Sequence, residues 1–340
     1  MEDSANASSE NAPPPLGEGA AEQQERALSR PAATHSQGER GIKPPPSLLF
    51  TRRFYLAGLA LVYAIAFLSL WMQVHGLVGS QGILPAEDFV KIATERLGAE
   101  RFYLLPTLSW IIGAGDGALH FLCAAGFLSS LAFLAGFAPV MTGALCWIFY
   151  LSLYTVCREF LGFQWDILLL ETGFLSLFLA PLRALSPWSP AWREPPRFLP
   201  VLALRVLLFK LMFSSGVVKL SGGDPTWRDL TALAYHYETT CLPAWTSWYV
   251  HQLPLWFHKI SALGMYGIEL VVPFFVFGPR IFRFIAAAGF FFLMAFIGAT
   301  GNYGFFNIQS VMLCVILLDD AILPKWLNPG PSPRRSYSEN

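Results

Sequence analysis

Two stretches of this chain, residues 117–157 and 284–318, contain no Asp, Glu, Lys or Arg at all. A helix needs about 20 apolar residues to cross the hydrocarbon of a bilayer. Each stretch is therefore long enough for two crossings, and each carries its own break: Gly136-Phe137-Ala138-Pro139 in the first and 298–304 in the second. Further apolar runs cover 54–77, 160–180, 199–220 and 260–277. The pattern predicts an all-α polytopic membrane protein, a bundle of about eight transmembrane helices. Composition agrees: 14% of residues are charged, against about 25% in a soluble domain, and mean hydropathy is +0.46. Lys+Arg and Asp+Glu both number 23, so no basic excess points to a nucleic-acid partner.

The termini differ from this middle. Residues 1–53 mix seven acids with six bases, carry two proline triplets and have no aromatic residue before Phe50. Such a segment buries too little apolar surface to offset the entropy of ordering it. Residues 1–47 are expected to be a disordered cytosolic tail, 50–325 a helical membrane domain and 326–340 a short polar C-terminal tail. The first apolar run starts too late for a cleavable signal peptide, so it is expected to stay as an anchor.

Lys and Arg set the orientation, because cytosolic loops carry the excess. An N-terminus in the cytosol leaves fourteen bases on that side and six on the other, with Arg205, Lys210 and Lys219 inside the fifth span. The larger non-cytosolic segments are then 78–116 and 221–259. Within the first, Pro85 to Ala93 reads as an amphipathic surface helix and 101–112 as a re-entrant piece. The second is rich in aromatic residues, and Trp227, His236, Tyr237, Trp245, Trp248 and Trp256 form its candidate interaction surface.

Six ionisable residues fall inside spans four to six: Asp166, Glu171, Arg205, Lys210, Lys219 and Glu269. One unpaired charge at mid-bilayer costs about 2.5–3.5 kcal/mol, so three acids and three bases are expected to neutralise one another as a charge network. At 100° per residue, Arg205 and Lys219 share a face of their helix and Lys210 lies opposite, which predicts a span surrounded by protein. Depth predicts a Glu171–Lys210–Glu269 contact, Asp166 near Lys219, and Arg205 snorkelling to the cytosolic headgroups.

Other constellations carry little chemistry. His236, His251 and His258, with Cys241 between them, match no zinc spacing, and no metal or cofactor is expected. Asp116 suits a helix N-cap, with His120 one turn on as its partner. The five cysteines include no CxxC. Four lie in apolar runs, where buried free thiols are expected.

Longer motifs carry a resemblance. The run from Leu204 to Leu220 contains Arg205, Lys210 and Gly216-Val217-Val218-Lys219-Leu220. It continues through Ser221-Gly222-Gly223-Asp224-Pro225-Thr226-Trp227 and Tyr235-His236-Tyr237-Glu238 to Trp256-Phe257-His258. With Trp165-Asp166-Ile167-Leu168-Leu169-Leu170-Glu171-Thr172-Gly173 and Gly301-Asn302-Tyr303-Gly304-Phe305-Phe306-Asn307, it resembles the lipase maturation factor family across residues 50–325. The resemblance implies a non-enzymatic membrane factor of the endoplasmic reticulum that serves folding and secretion of dimeric lipases. It implies lipoprotein lipase, hepatic lipase and endothelial lipase as partners, with membrane lipid and other reticulum chaperones beside them. The family also carries a lumenal C-terminal domain, so a chain ending at Asn340 resembles a truncated form impaired in client binding. The alternatives are an enzyme or a transporter. Gly216-Val217-Val218-Lys219-Leu220 with Trp227 is similar to a pattern in the vitamin K-dependent carboxylase membrane domain, where the lysine acts as a base. A transporter would use the mid-membrane charges.

Overall fold

The computed structural model describes residues 47–240 and 244–322. The expectations for the N-terminal tail up to residue 46, for the polar tail at 326–340 and for Cys241 lie outside the described residues. Every regular element among the described residues is helical, as expected of a chain whose backbone must satisfy its own hydrogen bonds in lipid. Eleven helices of seven or more residues follow in order: α1 Leu49–Val78, α2 Ala86–Leu97, α3 Asp116–Ala135, α4 Pro139–Val156, α5 Gln164–Leu179, α6 Phe198–Ser221, α7 Ala232–Thr239, α8 Trp245–His251, α9 Leu255–Tyr266, α10 Arg280–Thr300 and α11 Phe306–Cys314. Residues 101–112, expected to be re-entrant, hold two single helical turns, Arg101–Leu104 and Ser109–Ile112.

Among the described residues, six helices are long and apolar enough to cross a membrane: α1, α3, α4, α6, α10 and the continuous run Leu255–Phe277 that begins with α9. The chain is a multi-pass membrane protein. The other two expected crossings are present as shorter helices, α5 with 16 residues and the apolar run Phe306–Leu317 that begins with α11. Both uncharged stretches break where the sequence breaks them. Gly136 ends α3 in the left-handed region (φ 84), and Pro139 opens α4 at its first helical position, where a missing N–H leaves no bond unmade. Extended Gly301 follows α10, and Gly304 turns at φ 55 before α11.

Lipid is as apolar as leucine, so helices in a bilayer associate through close packing and hydrogen bonds rather than hydrophobic burial. The α1–α3 crossing shows this. A Cβ on Gly126 would overlap the Phe67 ring, so only glycine lets α3 approach α1 this closely. Tyr63, Phe67 and Tyr150 then form one buried aromatic cluster at α4, with Phe67 and Tyr150 edge to face at 5.5 Å. Tyr63 donates to the Leu169 carbonyl at 3.2 Å.

At one end of the bundle two consecutive carboxylates tie the chain together. Asp320 accepts from the backbone N–H groups of Phe50 (3.1 Å) and Thr51 (2.9 Å) and from the Thr51 hydroxyl (2.8 Å). Asp319 receives a bidentate pair from Arg280 at 2.7 and 2.9 Å. Neither α1 nor α10 has an acid in its own first turn. Asp320 thus supplies α1 with the negative charge and acceptors a helix N-terminus favours, and Asp319 anchors the start of α10 through Arg280. On the 78–116 side, Gly115 rather than Asp116 holds the N-cap position of α3. Asp116 accepts from Ser80 N and Oγ (2.8 and 2.7 Å) and approaches His75 at 3.4 Å, while His120 accepts from the Trp71 indole at 2.9 Å. The expected Asp116–His120 pair is replaced because α1 brings other partners to both residues.

Candidate functional site, an apolar cavity with a polar end

The centre of the site is a break in a helix. Pro273 has no N–H to offer the Glu269 carbonyl one turn back, and its ring crowds that same carbonyl. The run from α9 therefore widens into a π turn over Gly267–Val271 and tightens into a 3-10 segment over Val272–Phe277. Glu269 sits in the π turn, buried. On α6, a Cβ at Gly216 would stand 2.6 Å from Leu270 Cδ2 and 3.1 Å from Glu269 Cβ. Only glycine allows α6 to come this near, and one turn later Lys219 reaches Glu269. Its Nζ bonds both carboxylate oxygens (2.8 and 2.7 Å), donates to the Ser215 carbonyl at 3.3 Å and lies 5.7 Å over the Trp227 ring.

Trp227 is set there by local turn chemistry. Gly222 and Gly223 (φ 81) end α6, and Asp224 accepts from Thr226 N at 2.9 Å to cap the turn Pro225–Arg228. The Tyr266 hydroxyl holds the Trp227 carbonyl at 3.2 Å, with the two rings near perpendicular. Beside this group, Tyr303 and His236 share a hydrogen bond of 3.0 Å and stack nearly parallel. Burial and the Lys219 charge both lower the His236 pKa below its ordinary 6.5, so this imidazole is neutral at pH 7.

These side chains close one end of a cavity of about 680 Å³ between α6, α7, α9 and α10 and the start of α5. The rest of the wall is mostly apolar, with Met265, Ile268, Phe292 and Ile297 among its residues, and its remaining polar side chains, such as Gln164, Ser215, Ser261 and Thr300, are uncharged. The titratable groups at this end are engaged with one another, Lys219 with Glu269 and His236 with Tyr303.

The ionisable residues do not converge as depth alone predicts. Lys210 pairs with Glu171, as expected, but Glu269 takes Lys219 and leaves that contact. The π turn swings Glu269 toward the Lys219 face of α6, so no three-residue cluster forms. Asp166 is buried and accepts from the Tyr150 hydroxyl, not from Lys219. Arg205 makes no ion pair among the described residues, and its Nε is buried without a partner. Nor is α6 enclosed on all sides: Lys210, Val206 and Val218 are exposed on its outer flank.

The aromatic set divides as well. Trp245, Trp248 and Trp256 are exposed, whereas Trp227, His236 and Tyr237 turn inward and line the cavity. The difference comes from α8, which Ser247 straps to the end of α10 by donating to the Thr300 carbonyl at 2.6 Å. That strap leaves Trp245 and Trp248 on the outside. The histidines also stay apart: His251 meets Glu238 at 2.7 Å, and no cluster of His, Cys, Asp or Glu able to hold a metal occurs among the described residues. Cys123, Cys146, Cys157 and Cys314 are free and buried. Tyr303 has a place in the site that sequence reasoning missed. It stands in the quoted Gly301–Asn307 motif, but nothing in the motif shows that it meets His236.

The model of the lipase maturation factor transmembrane domain matches residues 50–325, nearly every described residue. The chain belongs to the lipase maturation factor family. It is 44% identical over 289 residues to lipase maturation factor 2 of Gallus gallus, covering 82% of this chain and 40% of that protein. For human lipase maturation factor 2 the identity is 41% over 298 residues, covering 84% and 42%. For human lipase maturation factor 1 it is 34% over 305 residues, covering 86% and 53%. Reading the motifs as those of lipase maturation factor 1 in particular is not supported, because the identities to lipase maturation factor 2 are higher. The chain spans about two fifths of the length of the lipase maturation factor 2 relatives. No solved structure matches it. The relatives are named as maturation factors, not as enzymes, and nothing in these matches favours the carboxylase-like or transporter alternative.

Proposed function

We propose that this chain acts in the endoplasmic-reticulum membrane as a non-enzymatic factor for folding and secretion of dimeric lipases, with lipoprotein lipase, hepatic lipase and endothelial lipase as clients. The observation that carries the reading is the family match over 50–325. In this reading the N-terminus is cytosolic and 221–259 lies in the lumen, the side on which secreted lipases fold. The exposed Trp245, Trp248 and Trp256 then meet the client at the membrane surface. Indole rings suit that task, because they bury large area at small entropic cost and keep an N–H for a polar partner. Such a surface holds an assembling lipase at the bilayer and shields its apolar face until the dimer forms, with other reticulum chaperones acting beside it.

The test is capture of lipoprotein lipase by the chain in cells lacking the endogenous factors. Joint substitution of Trp245, Trp248 and Trp256 by Ala is expected to lower captured lipase about tenfold, equivalent to about 1.4 kcal/mol, with unchanged chain abundance. Equal capture by the triple variant rejects this surface. Glycosylation acceptors inserted at 221–259 and at 181–198 report the orientation, since only the first set is expected to be modified.

A further inference from the structure

The cavity beside Lys219 has no occupant assigned by the proposed function, and its chemistry specifies one. Its volume of about 680 Å³ falls in the range of small-molecule sites, about 300–1,000 Å³. Its polar end is balanced in charge. The Lys219 ammonium is compensated by the buried Glu269 carboxylate. His236 is neutral, and the other polar wall residues, Gln164, Ser215, Ser261 and Thr300, carry no charge. An anionic or cationic head would enter with no opposite charge left to meet it and would lose its hydration. A hydroxyl can donate to a spare lone pair of Glu269 and accept from the His236–Tyr303 pair.

The remaining wall shows where such a molecule enters. Among the exposed wall residues, Ile260 and Gly264 lie on α9 and Phe292 on α10, the flanks of two membrane-spanning helices. Those flanks face acyl chains in a bilayer, so the cavity is reached from lipid.

We propose that the cavity binds one uncharged, hydroxyl-headed amphiphile drawn from the bilayer, its head at Lys219–Glu269 and His236–Tyr303 and its apolar body along α9 and α10. Monoacylglycerols and sterols share this chemistry. The site is independent of the exposed tryptophans, so its test stands whether or not the client surface is correct.

The test uses the full chain in phosphatidylcholine nanodiscs with two photoreactive probes, a diazirine monoacylglycerol and a diazirine cholesterol. Labelled peptides are mapped, and unlabelled monoolein, cholesterol and oleate compete. Labelling is expected on α9 and α10, with an uncharged competitor about tenfold more effective than oleate. Whichever probe labels identifies the source. A Cβ at Gly264 meets no atom within 4 Å, so the side chain of Gly264→Leu starts in open space, and the variant is expected to cut labelling about tenfold with an unchanged melting temperature. Glu269→Gln leaves the Lys219 charge uncompensated and is expected to turn the preference toward oleate. Labelling spread evenly over the outer helices, labelling undiminished in Gly264→Leu, or oleate competing as well as the uncharged lipids in the unaltered chain overturns the proposal.

Discussion

Two lysines on α6, Lys210 and Lys219, each meet a glutamate, yet the pairs sit in opposite environments. In the Lys219–Glu269 pair the side chains are 23% and 4% exposed, walled by Trp227, the π turn and the cavity. In the Lys210–Glu171 pair they are 60% and 36% exposed, on the flank of a helix of membrane-spanning length. The helical period puts the two lysines on opposite faces, and only one face of α6 is covered by protein. The inner pair is a junction: Lys219 also bonds the Ser215 carbonyl and stands over an indole, both of which accept a cation and not an anion. The outer pair is two charges that cancel. Identical residue chemistry thus shapes a site on one face and only makes membrane burial tolerable on the other.

The largest effect should come from breaking the inner pair. Lys219→Ala leaves the Glu269 carboxylate buried and unpaired, which costs about 3–5 kcal/mol for a buried ion pair and should appear as lost abundance and a lowered melting temperature in detergent. Lys219→Glu combined with Glu269→Lys should not restore it, because Ser215 and Trp227 require the cation on α6.

The outer pair should behave otherwise. Lys210→Ala or Glu171→Ala should cost about 1–3 kcal/mol, the scale of one unsatisfied polar group. Glu171→Lys combined with Lys210→Glu should recover most of that loss, since neither residue has a second charged partner among the described residues. A swapped chain no more stable than either single variant disproves the contrast.

The smallest effect concerns pH at the cavity's polar end. The His236 pKa is lowered by burial and by Lys219, so the unfolded chain binds this proton more readily than the folded one. Its contribution is complete above about 6.5 and is lost as pH falls below that value. The melting temperature should be level above pH 6.5 and decline beneath it, with His236→Gln removing most of the decline. A decline of the same size in the variant assigns it to another group.

The crossings were legible because apolar run length and lysine-poor stretches report on a single helix at a time. Residues 136–139 and 301–304 break the long runs where their glycines and proline say they must. The motif carrying Lys219 and Trp227 was legible too. What was not legible is every relation across helices. Depth in the membrane predicts Lys210 as the partner of Glu269, but the π turn that precedes Pro273 turns Glu269 toward Lys219, the one in reach. Trp227 and Trp245 look alike in sequence, yet one is clasped by Tyr266 and the other is carried outward on α8.

The sequence by itself determined that the chain crosses a membrane many times, where its helices break, that its intramembrane charges must be compensated, and to which family its motifs belong. These follow from local hydrophobicity and backbone chemistry. The tertiary structure alone decided which acid meets which base, which aromatic rings turn inward, and that a cavity with a charge-balanced end lies beside α6. Those outcomes depend on how closely backbones approach at residues such as Gly216 and on one π turn, and neither distance nor direction between helices is encoded by any single segment.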